Sequence, residues 1–411
     1  MGDMEEQQRD FIMFPSHSVG LMPQEERLEL PNKACKLSIG IPKETAFLEN
    51  RISLVPEAVS LLIDAGHRVI VENNAGAAAH FSNNQYSDAG AEIAYESPVV
   101  FQSDVVIKVA PATVPEVEMM KGKQVLFSSL NLAGLSDNYF RQLSAKRITA
   151  FAFEYMKDRD GNYPVIRAMS EIAGNTSILI AADYLSHPDY GRGLMFGGLS
   201  GISPTEVVIL GAGTVGEFAT RAAMGMGALV KVFDNSVYRL RRLQNNLGTR
   251  VFTSVIQPKP LTEALRTADV AIGAIRSQAG LSPVCVTEGM VQQMRAGAII
   301  IDVSIDQGGC FETSVITDHK NPVFEKYGVT HYCVPNIASK VPRTASRALS
   351  NLLAPIILKI GEEGGINNIL RTDSGVRNGV YLYNGVSTNR YISEYFHLPH
   401  KDIELLIAAF H

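Results

Sequence analysis

The chain has 411 residues, of which 46% are hydrophobic and 19% are charged, and its formal net charge at pH 7 is −5. This length is enough for roughly two or three domains, and the composition is that of a globular protein. The slightly negative charge gives no electrostatic reason to bind nucleic acid or an anionic membrane. No apolar run approaches the ~18–20 residues of a membrane span. We therefore expect neither kind of partner.

The cysteines and histidines give no sign of a disulfide-bonded or a metal-binding protein. The four cysteines, at positions 35, 285, 310 and 333, form no CxxC motif, which is typical of a reducing compartment. The nine histidines show no spacing suited to metal ligands. The acidic, polar N-terminus lacks the apolar core of a secretory signal. These features predict a cytoplasmic protein without a metal site.

Residues 1–36 show no hydrophobic period and are expected to form an N-terminal extension. From residue 37, apolar runs of strand length alternate with helical patterns, which predicts parallel pairing in an α/β sheet. The predicted strands cover residues 37–41, 68–72, 104–109, 125–129 and 149–154, and the predicted helices cover residues 56–65, 84–89, 115–121 and 136–144. This unit has no glycine-rich phosphate loop, so we expect that it does not itself hold a nucleotide.

A long helix of small residues, predicted over residues 169–185, precedes the clearest motif in the chain. The stretch Glu206-Val-Val-Ile-Leu-Gly211-Ala-Gly213-Thr-Val-Gly216 has the G-x-G-x-x-G spacing directly after a predicted strand. Gly211 permits the tight turn, and Gly213 lets the backbone approach a pyrophosphate. Gly216 lets the following helix pack closely on the strand. The motif therefore predicts a Rossmann dinucleotide-binding unit.

Two neighbouring features complete the predicted nucleotide site. The helix that begins with Thr214 and Val215 offers unpaired N–H groups and a positive dipole end to the pyrophosphate. Asp234 ends the next predicted strand, at residues 229–233, roughly 20 residues after Gly211, where an acid bonds the adenosine ribose hydroxyls. Because this carboxylate would repel a 2′-phosphate, we predict NAD and not NADP.

The rest of the chain continues the alternation of strands and helices. We predict strands at residues 270–275, 298–303 and 329–334, and helices at residues 261–266, 286–294 and 344–361. The last of these helices is expected to cross back to the first domain. A strand-like Val-Tyr-Leu-Tyr run lies between two Asn-Gly turns, and residues 403–410 form an apolar tail that should pack on the protein.

These elements predict an α/β protein with two doubly wound domains, joined by long helices, with a cleft between them. One domain is the Rossmann NAD-binding domain. The expected divisions are the extension (residues 1–36), the first part of a substrate domain (37–165), the Rossmann domain (166–343), and the return helix with the C-terminal part of the substrate domain (344–411).

Several motifs, taken in order, resemble one family. They are Ile41-Pro-Lys-Glu44, Glu49-Asn-Arg51-Ile-Ser-Leu-Val-Pro56, Met169-Ser-Glu-Ile-Ala-Gly174, the glycine loop, and Ile301-Asp-Val-Ser-Ile-Asp306-Gln-Gly-Gly-Cys-Phe-Glu312. Together they resemble alanine dehydrogenases and the NAD-binding part of nicotinamide nucleotide transhydrogenases, over roughly residues 37–365. The resemblance implies reversible, NAD-dependent oxidative deamination of L-alanine to pyruvate and ammonium, with hydride transfer to nicotinamide, in a homohexamer.

Such a reaction needs a cation for the substrate carboxylate and groups that move protons. Arg51 can grip a carboxylate bidentately, and the resemblance makes it a substrate-binding residue. Lys108 ends an apolar strand, so its ammonium should face a cleft or a partner. The family implies that Lys108 contacts the substrate carboxylate and carbonyl, and that Asp306 contacts the nicotinamide ribose and takes part in proton transfer. The alternatives are a surface arginine, an edge-strand lysine and a turn-forming aspartate.

The sequence departs from the dehydrogenases at Asn131. Where they carry an acid/base histidine, this chain has Leu130-Asn131-Leu132, and asparagine cannot titrate near neutral pH. Transhydrogenase NAD domains also lack a histidine in this region, whereas the segment around Asp306 resembles the dehydrogenases. We predict that Asn131 orients a carbonyl or a water while Asp306 carries the proton. We expect His67 and His80 to lie at the surface.

The resemblance implies two further contacts with the nicotinamide. Ser170 would contact its amide, although Ser170 is also a candidate N-cap of the long helix. Asn336 lies in a loop that resembles the one closing over the nicotinamide. Two alternative functions remain: a dehydrogenase for another amino or imino acid, and an NAD(H)-binding protein of the transhydrogenase type that does not deaminate. The absence of a membrane segment argues against a complete transhydrogenase.

Overall fold

The computed structural model describes residues 34–130, 134–277 and 280–409. In these residues the strands are β1 (Ser38–Ile41), β2 (Arg68–Glu72), β3 (Glu92–Ala94), β4 (Val105–Ile107), β5 (Val125–Ser128), β6 (Thr149–Ala152), β7 (Glu206–Leu210), β8 (Leu229–Phe233), β9 (Phe252–Ser254), β10 (Val270–Gly273), β11 (Ile299–Asp302), β12 (Val323–Lys326), β13 (Val329–Tyr332), β14 (Val380–Tyr383) and β15 (Val386–Ser387).

The helices of the same residues flank these strands. They are α1 (Pro56–Asp64), α2 (Asn83–Asp88), α3 (Ser97–Phe101), α4 (Val114–Met119), α5 (Asp137–Ala145), α6 (Pro164–Ser186), α7 (Thr214–Gly225), α8 (Val237–Leu247), α9 (Pro258–Thr267), α10 (Glu288–Val291), α11 (Pro342–Glu362), α12 (Ile366–Thr372), α13 (Ser374–Arg377), α14 (Arg390–Tyr395) and α15 (Ile403–Ala409). None of the helices in the described part of the chain is long and apolar enough to cross a membrane.

The strands form two sheets of the doubly wound type. The first has the order β15-β14-β6-β5-β4-β1-β2-β3, and the second has the order β12-β13-β11-β10-β7-β8-β9. Strands β1 to β6 pair in parallel, as do β7 to β11 with β13, whereas β14, β15 and β12 run antiparallel at the edges. The strand order reverses between β1 and β4 in one sheet and between β7 and β10 in the other. The predicted fold class is confirmed.

Continuous apolar runs explain why the parallel strands were predictable. Val207 to Leu210 in β7, like Ile299 to Ile301 in β11, are buried throughout, because helices cover both faces of a parallel sheet. Strands β2 and β8 have the predicted bounds. The Val-Tyr-Leu-Tyr run forms β14, which adds to β6 of the first sheet. The chain therefore returns to the first sheet after completing the second.

Two long helices, α6 and α11, connect the parts of the chain that form the two sheets. Helix α6 packs closely against α7 because Gly174 lacks a side chain, and a Cβ there would overlap the backbone carbonyl of Val215. Helix α6 begins at Pro164, a residue favoured at the first helical position. Ser170 therefore lies inside the helix, and the N-cap interpretation of Ser170 is wrong.

The expectation that His67 lies at the surface is also wrong. Its side chain is buried under α11, where a Cβ at Gly361 would overlap the imidazole ring. The ring nitrogen Nδ1 accepts a hydrogen bond of 3.2 Å from the Leu37 backbone N–H. Burial lowers the pKa of His67, which favours the neutral ring. His80 is exposed, as expected.

Candidate active site

The carboxyl ends of strands from both sheets meet at one cleft, which holds a cavity of about 350 Å³. From the first sheet, loops after β5 and β6 bring Ser129 and Glu154 to its wall. From the second sheet, loops after β10 and β11 bring Arg276 and Asp306. Open α/β sheets bind ligands at the carboxyl ends of their strands, so this cavity is the candidate active site.

The glycine loop between β7 and α7 has the shape that a pyrophosphate requires. A Cβ at Gly211, whose φ is +108°, would overlap the Ala274 carbonyl, and a Cβ at Gly216 would overlap the Gly211 carbonyl. The fold of the loop therefore requires glycine at both positions, with or without a bound ligand. Gly213 differs, because a Cβ there would meet nothing within 4 Å. The open space beside Gly213, at the start of α7, is where a pyrophosphate fits.

Asp234 lies at the end of β8, beside the loop, and is almost fully buried. Its oxygens accept backbone N–H groups from Ala212 at 2.8 Å and from Ser236 at 2.7 Å. Each carboxylate oxygen keeps a second lone pair for a hydroxyl donor. Arg239 Nη1 lies 3.8 Å from Oδ2. The donor and acceptor set at Gly213 and Asp234 thus fits a dinucleotide with free ribose hydroxyls.

Arg51 lines the cavity, but a carboxylate already occupies one edge of its guanidinium. Nε donates to Glu49 Oε1 at 2.7 Å, and Nη2 donates to Oε2 at 2.6 Å. The remaining amino group, Nη1, points to Met169 Sδ at 3.5 Å in the cavity wall. Burial acts to raise the pKa of Glu49, but the charge of Arg51 outweighs it and holds this pKa below its usual value. Arg51 therefore keeps one donor group for a ligand.

Asn336 connects Asp306 to the Arg51–Glu49 pair. Its backbone N–H donates to Asp306 Oδ1 at 3.0 Å, and its side-chain Nδ2 donates to Glu49 Oε2 at 2.9 Å. Asn336 has a left-handed backbone conformation, with φ +54°, which asparagine tolerates better than most residues. The Asp306 side chain opens to the cleft, but many protein atoms lie close around it. The resulting desolvation raises the pKa of Asp306. Arg51, Asp306 and Asn336 are thus brought together.

Lys108 lies outside this group. Its side chain is fully buried, and Nζ donates to both oxygens of Glu116 at 2.7 Å and lies 3.9 Å from Glu44 Oε2. Lys108 does not line the cavity. The buried ammonium thus faces a partner, and its substrate contact stays a prediction. The sequence carried one pointer to this partner, because Thr113 and Glu116 form the capping box that starts α4.

Glu44 belongs to the same buried cluster and titrates near neutrality. Its oxygens accept the backbone N–H groups of Val109 at 2.6 Å and Ala110 at 3.3 Å. Burial raises the pKa of Glu44 to about 7, against the opposing effects of Lys108 and these N–H groups. The folded chain therefore binds this proton more tightly than the unfolded chain does, whose carboxyl has a pKa near 4.5.

This difference predicts how stability depends on pH. The free energy of unfolding should fall as the pH rises from 4.5 towards 7, by up to about 1.4 kcal/mol per pH unit from this group. Glu44→Gln should remove that part of the slope, whereas Glu118→Gln, at an exposed position of α4, should leave it unchanged. Apparent melting temperatures of the wild type and the two variants between pH 4.5 and 8 measure this slope. Parallel curves for wild type and Glu44→Gln would contradict the assignment.

The structure places most of the other residues that were named from the sequence. Ser170 and Val215 line the cavity, and Thr214 begins α7 directly after Gly213. Asn131 lies outside the described residues. Asp302, which precedes Asp306 in the same motif, is buried and accepts hydrogen bonds from Ser304, Cys310 and Ser314, which is a structural role. In the described ranges, no group of three or more His, Cys, Asp or Glu side chains is arranged to hold a metal ion.

Comparison with known proteins identifies the family. Residues 40–173 match the N-terminal domain model of the alanine dehydrogenase/PNT family, and residues 177–390 match its C-terminal domain model. The chain is 36% identical to alanine dehydrogenase 2 of Staphylococcus aureus strain USA300 over 369 residues, which are 90% of this chain and 99% of that protein. The same protein of strain Mu50 matches with the same identity and coverage.

Solved structures agree with this assignment. An L-alanine dehydrogenase superposes with a TM-score of 0.82 at 36% identity, covering 88% of this chain and 99% of that one. A transhydrogenase from Sinorhizobium meliloti superposes with a TM-score of 0.73 at 22% identity, covering 86% of this chain and 99% of that one, which shows a shared fold alone. The chain therefore belongs to the alanine dehydrogenase/PNT family.

Proposed function

We propose that this protein catalyses the reversible, NAD-dependent oxidative deamination of L-alanine to pyruvate and ammonium. The observation that carries the proposal is the placement of Arg51, Asp306 and Asn336 around one cavity, next to a dinucleotide loop. A relative named alanine dehydrogenase 2 shares 36% identity across 99% of its own length, which supports L-alanine as the substrate.

The chain's own residues would hold the two ligands as follows. Gly211, Gly213, Gly216 and the first turn of α7, with Thr214 and Val215, would receive the pyrophosphate, and Asp234 would receive the ribose hydroxyls. Ser170, Asp306 and Asn336 would surround the nicotinamide end. Bound NAD supplies the acceptor for the hydride that leaves the substrate Cα.

Arg51 and Asp306 have distinct roles in this proposal. Arg51 would bind the substrate carboxylate through Nη1, since Glu49 holds the other edge of the guanidinium in place. Asp306 Oδ1 is fixed by the Asn336 N–H, which leaves Oδ2 to accept or return a proton. The raised pKa of Asp306 brings its proton exchange closer to neutral pH. Lys108 would stabilise the first domain through Glu116 and Glu44, and its substrate contact is kept as a prediction.

A second candidate, in the same class, is a dehydrogenase for an amino acid with a second acidic group. Arg276 favours it, because this arginine lines the cavity and makes no hydrogen bond or close ion pair within the described ranges, although its charge acts on Glu154 and Asp306. A guanidinium in that state suits a second carboxylate on the ligand. A panel of 2-oxo acids separates the two candidates, because only the second predicts faster turnover of 2-oxoglutarate or oxaloacetate than of pyruvate.

We also propose a homo-oligomer, a hexamer by resemblance to the family, located in the cytoplasm. Exposed apolar side chains near the second sheet support an oligomer: Met195, Leu199 and Ile202 are 64%, 59% and 65% exposed. Neighbouring exposed apolar residues are typical of a subunit contact. Sedimentation equilibrium would give the number of subunits, and a monomer at micromolar concentration would refute this part.

The proposed function is tested by following NADH absorbance with pyruvate and ammonium. We expect saturable NADH oxidation, and we expect Asp306→Asn to lower kcat by about 10²–10⁴-fold while NADH still binds. Asp189→Asn is the matched control, because the Asp189 side chain is 81% exposed and does not line the cavity. Tight NADH binding by the wild-type protein without turnover of any 2-oxo acid in the panel would refute the proposal.

A further inference from the structure

Glu154 is a second carboxyl group in the wall of the cavity, and the function described above does not use it. It follows β6 in a short turn, Phe153–Tyr155, so that it lines the cavity from the first sheet. Asp306 lines the same cavity from the second sheet. The two carboxyl groups therefore approach a bound ligand from opposite domains.

The hydrogen bonding of Glu154 is incomplete. Oε1 accepts the Leu130 backbone N–H at 2.6 Å. Oε2 is buried and has no hydrogen-bond partner among the described residues. A buried carboxyl oxygen without a partner costs about 1–3 kcal/mol, and such atoms in native structures call for a functional explanation. A ligand in the cavity would give Oε2 the partner that the protein does not.

Few side chains in the cavity lining can exchange protons during the reaction. Among the described lining residues, the ionisable side chains are Arg51, Glu154, Arg276 and Asp306. Arginine stays charged at all ordinary pH values. Among these described lining residues, only Glu154 and Asp306 can therefore take up and release protons, whereas deamination needs protons moved at both the carbonyl oxygen and the nitrogen.

The charges that face Glu154 favour proton exchange. Burial raises its pKa, and the guanidinium of Arg276, from the loop after β10, opposes this rise. Burial raises the pKa values of the Tyr155 and Tyr381 phenols, and the nearby Glu154 carboxylate adds to both rises. Both phenols therefore remain neutral, and Glu154 is left as a carboxylate that binds a proton more tightly than an exposed glutamate does.

We propose that Glu154 Oε2 is the proton carrier of the hydrolytic half of the reaction, after hydride transfer. Water attacks the iminium carbon, the C–O bond forms, and the electron pair of the C=N π bond moves to nitrogen. The proton released by the attacking water goes to Oε2 and then to that nitrogen. The C–N bond breaks, ammonia leaves, and the remaining hydroxyl releases its proton to solvent as the carbonyl forms. The proposal rests on the proposed function and adds the group that performs its second half.

Glu154→Gln tests this step, because glutamine keeps an oxygen for the Leu130 N–H but cannot carry a proton. With L-alanine and NAD, we expect steady-state kcat to fall by about 10²–10⁴-fold. A pre-steady-state burst of about one NADH per site should persist, because hydride transfer precedes the step that is lost. Glu118→Gln, at an exposed position of α4, is the matched control and should behave as wild type.

A second substitution, which shortens the side chain, distinguishes a proton-carrying role of Glu154 from a structural role. In Glu154→Ala, formate should restore part of the lost kcat, whereas it should not affect the wild type. The proposal is overturned if Glu154→Gln keeps kcat within threefold of wild type, or if its burst is lost together with the steady state. Failure of the wild type to form NADH from L-alanine would instead refute the proposed function, and this proposal with it.

Discussion

Lys108→Met is expected to lower the free energy of unfolding by about 3–5 kcal/mol. The substitution leaves Glu116 and Glu44 in the interior of the first domain without the ammonium that both of them face. A buried carboxylate that loses its bonded cation is far more costly than a missing surface pair. Urea unfolding followed by circular dichroism measures the change.

Two further variants make this test specific. Lys121→Met removes an exposed pair with Asp104, in which both side chains are about half exposed, and should cost no more than about 1 kcal/mol. The double variant Lys108→Met with Glu116→Gln should recover much of the loss, because it removes a charge of each sign. If this double variant folds and keeps kcat/KM, the predicted substrate contact of Lys108 is wrong. Equal losses for Lys108→Met and Lys121→Met would contradict the structural role.

Gly213→Ala is expected to weaken NADH binding by about 10- to 100-fold without destabilising the fold. A methyl group at Gly213 meets no protein atom within 4 Å, so the unliganded protein should accommodate it. It would stand in the space that a pyrophosphate needs at the start of α7. The enhancement of NADH fluorescence on binding measures the affinity.

Gly225→Ala is the matched control for this prediction. Gly225 ends the same helix, and its Cβ would also meet nothing within 4 Å. Alanine there should stabilise the helix by up to about 1 kcal/mol and leave NADH affinity unchanged. Similar affinities for Gly213→Ala and Gly225→Ala would show that the nucleotide does not lie beside the glycine loop.

The fold was predictable because its signals are local. Parallel strands buried on both faces form unbroken apolar runs, and the glycine loop fixes the strand and helix on either side of it. Elements without such a run were missed. Helix α8 is one example, although Ser236 caps its start and Gly248 ends it in a left-handed conformation. Strand β9 is another, since its three residues are too short for a reliable period.

The candidate site was less predictable, because it depends on which side chains meet after folding. Arg51 and Asp306 could be named from their motifs, but the Glu49 carboxylate that holds Arg51 could not. Lys108 was expected to face a cleft or a partner, and only the folded structure shows that its ammonium faces Glu116. For Glu154, the sequence predicts only that it is the last residue of a strand. Its importance lies in an unpartnered oxygen, which no sequence pattern reveals.

The proposed function requires that hydride passes from the Cα of L-alanine to a nicotinamide held in this cleft. Turnover of L-[2-²H]alanine with NAD, followed by mass spectrometry of the reduced cofactor, tests it most directly. We predict one deuterium in each reduced cofactor formed, with D-alanine inactive. Reduced cofactor without deuterium, or no reduction by a protein that binds NADH, would contradict this hydride transfer.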